Sequence, residues 1–221
     1  MSTQPRAVFF DLDGTLLDTA PDMALALNIQ REVHGKEPLP FSEVRPYVSH
    51  GAAAMLRIGF GLEPQHKEFD EFRKQYLNIY ADNIAVHTEL FNGLQELLEG
   101  LHKANIAWGI ATNKPEFLTI PLLEALKLRS SCNALVCGDT VKPTKPHPNP
   151  LFSAAQQAGV KPVQSVYVGD AWRDIAAGRA AGMKTVIAEY GYIQPEDNLL
   201  EWLADATAKE STDLKALLLN R

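Results

Sequence analysis

Five short apolar runs stand apart along the chain: Ala7 to Phe10, Ile106 to Ala111, Ala134 to Cys137, Ser165 to Val168 and Lys184 to Ala188. Each has the length and composition of a strand buried on both faces. Apolar residues recur at helical spacing over Leu90 to His102, Phe117 to Leu126, Pro150 to Ala158 and Asp174 to Ala181. Gly159 and Gly182 fall where helix C-terminal glycines belong. This alternation predicts an α/β fold, a doubly wound parallel sheet covered by helices on both faces. A final helix over about Ser211 to Leu219 closes the core.

The interval between the first two strands breaks the rhythm. It runs from Asp11 to Asn105, whereas a crossover between parallel strands needs only a dozen or so residues. Helical periodicity fills much of it: Pro21 to Val33, Gly51 to Phe60 and Pro64 to Tyr80, with Pro38, Pro40 and Pro46 as punctuation. The simplest account is a small helical domain inserted just after the first strand. Phe60, Phe69, Phe72 and Tyr76 recur at helical distances and read as that insert's own core.

Composition narrows the class. Of 221 residues, 46% are apolar and 22% charged, the balance of a globular protein. A formal charge of −6 without a Lys/Arg run offers no basic face for nucleic acid or an anionic membrane. Cys132 and Cys137 sit in an apolar stretch without metal-ligand spacing and read as buried reduced thiols. Residues 1 to 5 are polar and short, with no basic region leading into an apolar segment, and no uninterrupted apolar window could span a bilayer, so the expected location is cytoplasmic.

The chemistry sits where strands end. Phe10 is followed by Asp11-Leu12-Asp13-Gly14-Thr15, with the two aspartates on one side of an extended segment. Two carboxylates about 4 Å apart repel by roughly 4 kcal/mol at an effective dielectric near 20, so a cation is expected between them. The second strand delivers Thr112-Asn113; Lys142-Pro143 and Lys145-Pro146 follow the third; Gly169-Asp170, with Asp174, follows the fourth. Ligands of open α/β sheets bind beyond these strand ends. Carboxylates without a His/Cys cluster suit Mg2+. Hydroxyl, backbone N–H and ammonium groups suit phosphoryl oxygens. One aspartate can act as nucleophile and another as proton carrier.

In this order, the four motifs resemble those of the haloacid dehalogenase superfamily, in its phosphatase branch, over about residues 6 to 215. The resemblance implies a catalytic core of residues 1–17 and 86–221 and an inserted helical cap of residues 18–85. It makes Asp11 the nucleophile, forming an aspartyl-phosphate, and Asp13 the general acid and then base. Thr112, Asn113 and Lys145 would hold the phosphoryl group; the family pattern Lys-Pro-x-Pro selects Lys145 over Lys142. Mg2+ would be bound by Asp11, the backbone carbonyl of Asp13 and Asp170, with Asp174 in support. Dehalogenating members lack an acid at the position of Asp13, so a carbon–halogen substrate is not expected.

The resemblance further implies a small phosphorylated metabolite as partner. Thr112-Asn113-Lys114-Pro115 and the cap's size are similar to those of phosphoglycolate phosphatases. Tyr190 to Asn198, Val48 to Ala52 and Phe91-Asn92-Gly93 are similar to bacterial phosphatases acting on N-acetylmuramic acid 6-phosphate. That ester is therefore the expected substrate, with 2-phosphoglycolate the alternative and a phosphosugar mutase or a phospho-acceptor domain behind. Ser49, His50, Gly51 and Arg45 are the cap candidates for reading the ester; Ser49 could equally start a helix, and Arg45 could be solvated. Trp172, where small or polar residues are more usual, could crowd the pocket. Either a monomer or a homodimer is compatible with these features.

Overall fold

The computed structural model describes residues 4–219; residues 1–3 and 220–221, the outer ends of the expected core, lie outside the described residues. The chain opens with β1 (Ala7–Phe10) and the two-residue strand β2 (Leu17–Asp18), then enters α1 (Ala20–Val33). Next come α2 (Phe41–Val44), a 3-10 helix over Arg45–His50, α3 (Gly51–Phe60) and α4 (Phe69–Asp82). The chain returns through β3 (Glu89–Leu90) and α5 (Leu94–Lys103). From there strands and helices alternate: β4 (Ala107–Ala111), α6 (Glu116–Ala125), β5 (Ala134–Val136), α7 (Asn149–Gln157), β6 (Ser165–Gly169), α8 (Trp172–Ala180) and β7 (Lys184–Ala188). A last strand, β8 (Ala206–Ala208), precedes α9 (Asp213–Leu218).

The main sheet is parallel throughout, in the order β5-β4-β1-β6-β7-β8. The expected doubly wound α/β fold with additional helices is therefore present. All five anticipated strands are in it, with β1 fully buried between β4 and β6. Register positions the site. Phe10 pairs with Ile110 on one side and Val168 on the other, so Asp11, Thr112 and Asp170 emerge together at the strand ends. Chain direction reverses its winding at β1, where a ligand site is expected.

Two strand features were not anticipated. β8 is three residues long and half polar in setting, too short to show a pattern. β2 and β3 form an antiparallel pair of two residues each, Leu17 with Leu90 and Asp18 with Glu89, at the point where the chain leaves and re-enters the core. The helix expected from Pro64 begins at Phe69; residues 64–68 are turn.

Helices α1 to α4 share an apolar cluster that includes Met23, Leu27, Met55, Leu56, Tyr76 and Tyr80. Phe69 and Tyr76 are buried there, while Phe60 and Phe72 meet edge to face at 5.0 Å, with His34 stacked on Phe72 at 4.4 Å. Leu118 and Tyr192, from outside these helices, complete the cluster and seat them on the sheet. The connecting segments are pinned by Asp22 of α1. Its carboxylate accepts from the backbone N–H groups of Val86, His87 and Thr88 and from the Thr88 hydroxyl at 2.7 Å. Cys132 and Cys137 are both free and buried, and burial pushes each thiol up to about 11. Among the described residues, no helix is long and apolar enough to cross a membrane.

Candidate active site

Asp11 leaves β1 with its backbone N–H bonded to Val168 O at 2.9 Å, and its carboxylate is buried. Gly14 makes the turn behind it with φ of +80°, and a Cβ there would collide with the Asp170 carboxylate. Only glycine combines that backbone conformation with that approach. Asp170 follows β6 and Asp174 sits in the first turn of α8, where its Oδ2 accepts from Ala171 N at 3.0 Å. One carboxylate oxygen from each of Asp11, Asp170 and Asp174 lies within 4.8 Å of the others.

Three buried carboxylates this close need positive charge. Lys145 Nζ is 2.8 Å from Asp11 Oδ1, from Asp174 Oδ1 and from the Tyr167 hydroxyl, which occupies its three protons. Tyr167 in turn donates to Ala111 O at 2.7 Å. Lys142, the other Lys-Pro lysine, instead donates to Gly138 O. Burial pushes the Asp11 carboxyl up, but Lys145 and Arg173 outweigh it and hold the group below the usual carboxylate range. Asp174 is raised, burial exceeding its share of the same ammonium. Asp170 has no cation in contact: burial, Asp11 and Asp174 push it up to about 7. An all-oxygen donor set whose third carboxylate is charged only with difficulty fits a hard divalent ion such as Mg2+.

Asp13 lies apart from this cluster. Its Oδ1 is 2.8 Å from Lys114 Nζ, which also donates to the Tyr80 hydroxyl of α4 at 2.9 Å. Thr112 is buried, and its hydroxyl accepts from Lys114 N at 3.2 Å, leaving the hydroxyl proton to donate elsewhere. Asn113 Nδ2 donates to Lys145 O at 3.1 Å and so ties the second strand end to the lysine loop.

A cavity of about 410 Å³ opens over these groups. Asp11, Asp13, Thr112, Asn113 and Lys114 line its floor; Met23, Ser49, His50, Gly51, Arg73, Tyr76, Leu77 and Tyr80 line the wall made by the inserted helices. Ser49, His50 and Gly51 thus reach the cavity, and Ser49 Oγ donates to Asp170 Oδ2 at 2.5 Å. Burial and Arg173 lower the His50 ring below the usual histidine range. Arg45 lies outside the lining: it donates to Gly191 O and Tyr190 O at 3.1 and 3.2 Å, over the Tyr192 ring. Trp172, 55% exposed, lines a separate hollow of about 230 Å³ and not the main cavity.

The sequence reading missed Lys114, Tyr167 and Arg173 as site groups. Arg173 lines the cavity and donates to Ser49 O at 2.6 Å, joining α8 to the 3-10 helix. Its place in Asp170-Ala171-Trp172-Arg173-Asp174 is the one signal that could have drawn notice to it.

The chain is 41% identical over 209 residues to the N-acetylmuramic acid 6-phosphate phosphatase of Pseudomonas aeruginosa, covering 95% of this chain and 92% of that protein. It is 43% identical over 211 residues to the phosphoglycolate phosphatase of Xanthomonas campestris pv. campestris, covering 95% of each. A crystal structure named as that of a predicted phosphoglycolate phosphatase from Haemophilus somnus superposes with a TM-score of 0.85 at 26% identity, over 98% of this chain and 99% of that one. The model of the haloacid dehalogenase-like hydrolases matches residues 8–188, and with the aspartate cluster and its lysine in place the chain belongs to that family.

Proposed function

We propose that this protein hydrolyses a small phosphate monoester whose alcohol carries a carboxylate, with 2-phosphoglycolate ahead of N-acetylmuramic acid 6-phosphate. The observation that carries the reaction class is the arrangement of Asp11, buried and held ionised by Lys145, beside Asp170 and Asp174. The order of the two esters reverses the expectation from sequence. It rests on the 43% identity to a phosphoglycolate phosphatase against 41% to a muramic ester phosphatase, and on the likeness to the Haemophilus structure. A cavity of about 410 Å³ accommodates either ester, so size does not choose between them.

In this reading an Asp11 oxygen attacks phosphorus, and the bond from phosphorus to the ester oxygen breaks as Asp13 gives that oxygen its proton. The alcohol leaves and an aspartyl-phosphate remains on Asp11. Asp13, now a carboxylate, takes a proton from water as the water oxygen attacks phosphorus, the bond to Asp11 breaks, and orthophosphate departs. The Thr112 hydroxyl donates to a phosphoryl oxygen, and Lys145 supplies positive charge beside the attacking carboxylate. Asp11, the backbone carbonyl of Asp13 and Asp170, with Asp174 in support, would hold Mg2+, which would offset the negative charge of carboxylates and phosphoryl group. Division into a core of residues 1–17 and 86–221 and a cap of residues 18–85 belongs to the same reading, with the cap excluding water. The chemistry suits a cytoplasmic metabolite enzyme.

Phosphate release from 2-phosphoglycolate, N-acetylmuramic acid 6-phosphate and common hexose phosphates in Mg2+ tests the proposal. Asp11→Asn should abolish release while leaving the circular dichroism spectrum unchanged. Comparable turnover by Asp11→Asn would refute the nucleophile. A kcat/KM for both carboxylate esters no higher than for hexose phosphates would refute the substrate.

A further inference from the structure

Helix α4 presents one stripe to the cavity, Arg73, Tyr76, Leu77 and Tyr80, at the three- and four-residue spacing of a single helix face. Tyr80 touches Lys114 at the chemical end. Arg73 is about 10 Å back along the helix from Tyr80, at the far end of the same wall. It is exposed.

The cations of this cavity are otherwise committed. Lys114 is paired with Asp13, while Arg173 donates to the Ser49 carbonyl beside the aspartate cluster. Arg73 makes no hydrogen bond or ion pair among the described residues. Its own helix offers Asp70 three residues earlier, a spacing at which a pair can form, and none does. The only carboxylates in the lining, Asp11 and Asp13, already have lysine partners at 2.8 Å. The cavity thus has a balanced floor and an unbalanced positive charge on the opposite wall.

We infer that Arg73 determines specificity by binding a carboxylate on the alcohol portion of the phosphate ester. The inference rests on the proposed phosphatase reaction and deepens it: Thr112, with the charge of Lys145 behind Asp11, addresses the phosphoryl end and Arg73 the acid end. A guanidinium is suited to this, because its planar fork matches a carboxylate with two parallel N–H donors. Tyr76, Leu77, Met23 and Val48 supply apolar walls between the ends. Because Arg73 touches neither the attacking nor the leaving atoms, its contribution falls on binding and not on the chemical step.

The test compares ester pairs that differ in the carboxylate: 2-phosphoglycolate with 2-hydroxyethyl phosphate, and N-acetylmuramic acid 6-phosphate with N-acetylglucosamine 6-phosphate. Wild type should favour the acid of at least one pair. Arg73→Ala should lower kcat/KM for that acid about 10- to 100-fold, mainly through KM, while changing its neutral counterpart less than about threefold. Arg73→Lys should recover part of the loss, since charge is kept and the fork is not. Equal losses on acid and neutral esters, or an acid preference that survives in Arg73→Ala, would overturn the assignment while leaving the substrate reading intact. A wild type that hydrolyses neutral esters and shows no acid preference would overturn the substrate reading and this one together. Arg73 is exposed, so an unchanged melting temperature in both variants separates these outcomes from misfolding.

Discussion

Lys114 Nζ lies 2.8 Å from Asp13 Oδ1, across 101 residues of sequence, and fixes the carboxylate that the proposed reaction uses as its proton carrier. The same ammonium reaches the Tyr80 hydroxyl on α4 at 2.9 Å and stands over that ring, 4.5 Å from its centroid. One lysine therefore joins the second strand end, the proton carrier and the inserted helices. Asp13 is thereby aimed into the cavity, separate from Asp11, Asp170 and Asp174, and the two aspartates of the first motif acquire different surroundings two residues apart.

Replacing Lys114 by Met keeps the stem and removes the charge, so Asp13 loses its orienting partner. We expect kcat to fall about 10- to 100-fold with KM changed less than about threefold, as displacing a reacting group by an ångström produces losses of that order. Tyr80→Phe removes only the secondary support and should cost less. A Lys114→Met enzyme with wild-type kcat would show that Asp13 needs no such positioning.

Asp13→Asn separates the two half-reactions. A phenol with a good leaving tendency needs little protonation, so p-nitrophenyl phosphate should still phosphorylate Asp11 in this variant. Hydrolysis of the aspartyl-phosphate needs the base, and turnover should stall. Rapid mixing should then give a burst of nitrophenolate of about one equivalent per site followed by a slow steady state. A linear trace at the wild-type rate would remove Asp13 from the role of base.

How much was legible in the sequence follows from distance along the chain. Five strands of the main sheet were legible because each is a mainly apolar run, and Asp11, Thr112 and Asp170 because they follow those runs directly, with Asp174 four residues beyond. Register does the rest: once β4, β1 and β6 lie side by side, their next residues are neighbours. Lys114 and Arg173 lie beside these motifs but were not singled out, and Tyr167 carries no such local sign. Tyr167 lies within β6, where a tyrosine reads as packing, yet its hydroxyl holds Lys145. Arg45 shows the converse. A cationic residue in the insert suggested substrate binding, and the structure instead has it spanning to the carbonyls of Tyr190 and Gly191. Those partners are 145 and 146 residues away, and no pattern in the insert could name them.

The aspartate cluster predicts how Mg2+ and pH act together. Without metal, Asp170 is raised to about 7 from an ordinary 3.8, so the folded protein keeps a proton that the unfolded chain has released between those values. Metal-free stability from this group is full below about pH 4 and declines as pH rises toward 7. Mg2+ must displace that proton, so its affinity should weaken below about pH 7, by up to about tenfold per unit. The Mg2+-induced rise in melting temperature should accordingly be larger near pH 8 than near pH 5.5. Asp170→Asn should lose most of the Mg2+ effect at both. An equal rise at both pH values in wild type would place the metal away from Asp170.

Tyr192 predicts the strength of the joint between sheet and inserted helices. Its ring is buried, and its hydroxyl donates to Asp18 Oδ1 at 2.7 Å while accepting from Ala20 N at 2.8 Å. Both partners flank the point where the chain leaves β2 for α1, and Ala20 N is one of the helix-start donors that α1 cannot satisfy internally. Tyr192→Phe keeps the ring against Arg45 and Phe91 and removes both bonds. Leaving a buried N–H and part of a carboxylate unpartnered costs about 1–3 kcal/mol, and at this chain length that lowers the melting temperature by roughly 3–9 °C. The aspartate cluster is untouched, so turnover well below the melting point should persist, with any change confined to KM as the inserted helices sit less firmly over the cavity. A melting temperature within a degree or so of wild type would show that water replaces the hydroxyl at no cost and that the joint draws its strength from apolar packing alone.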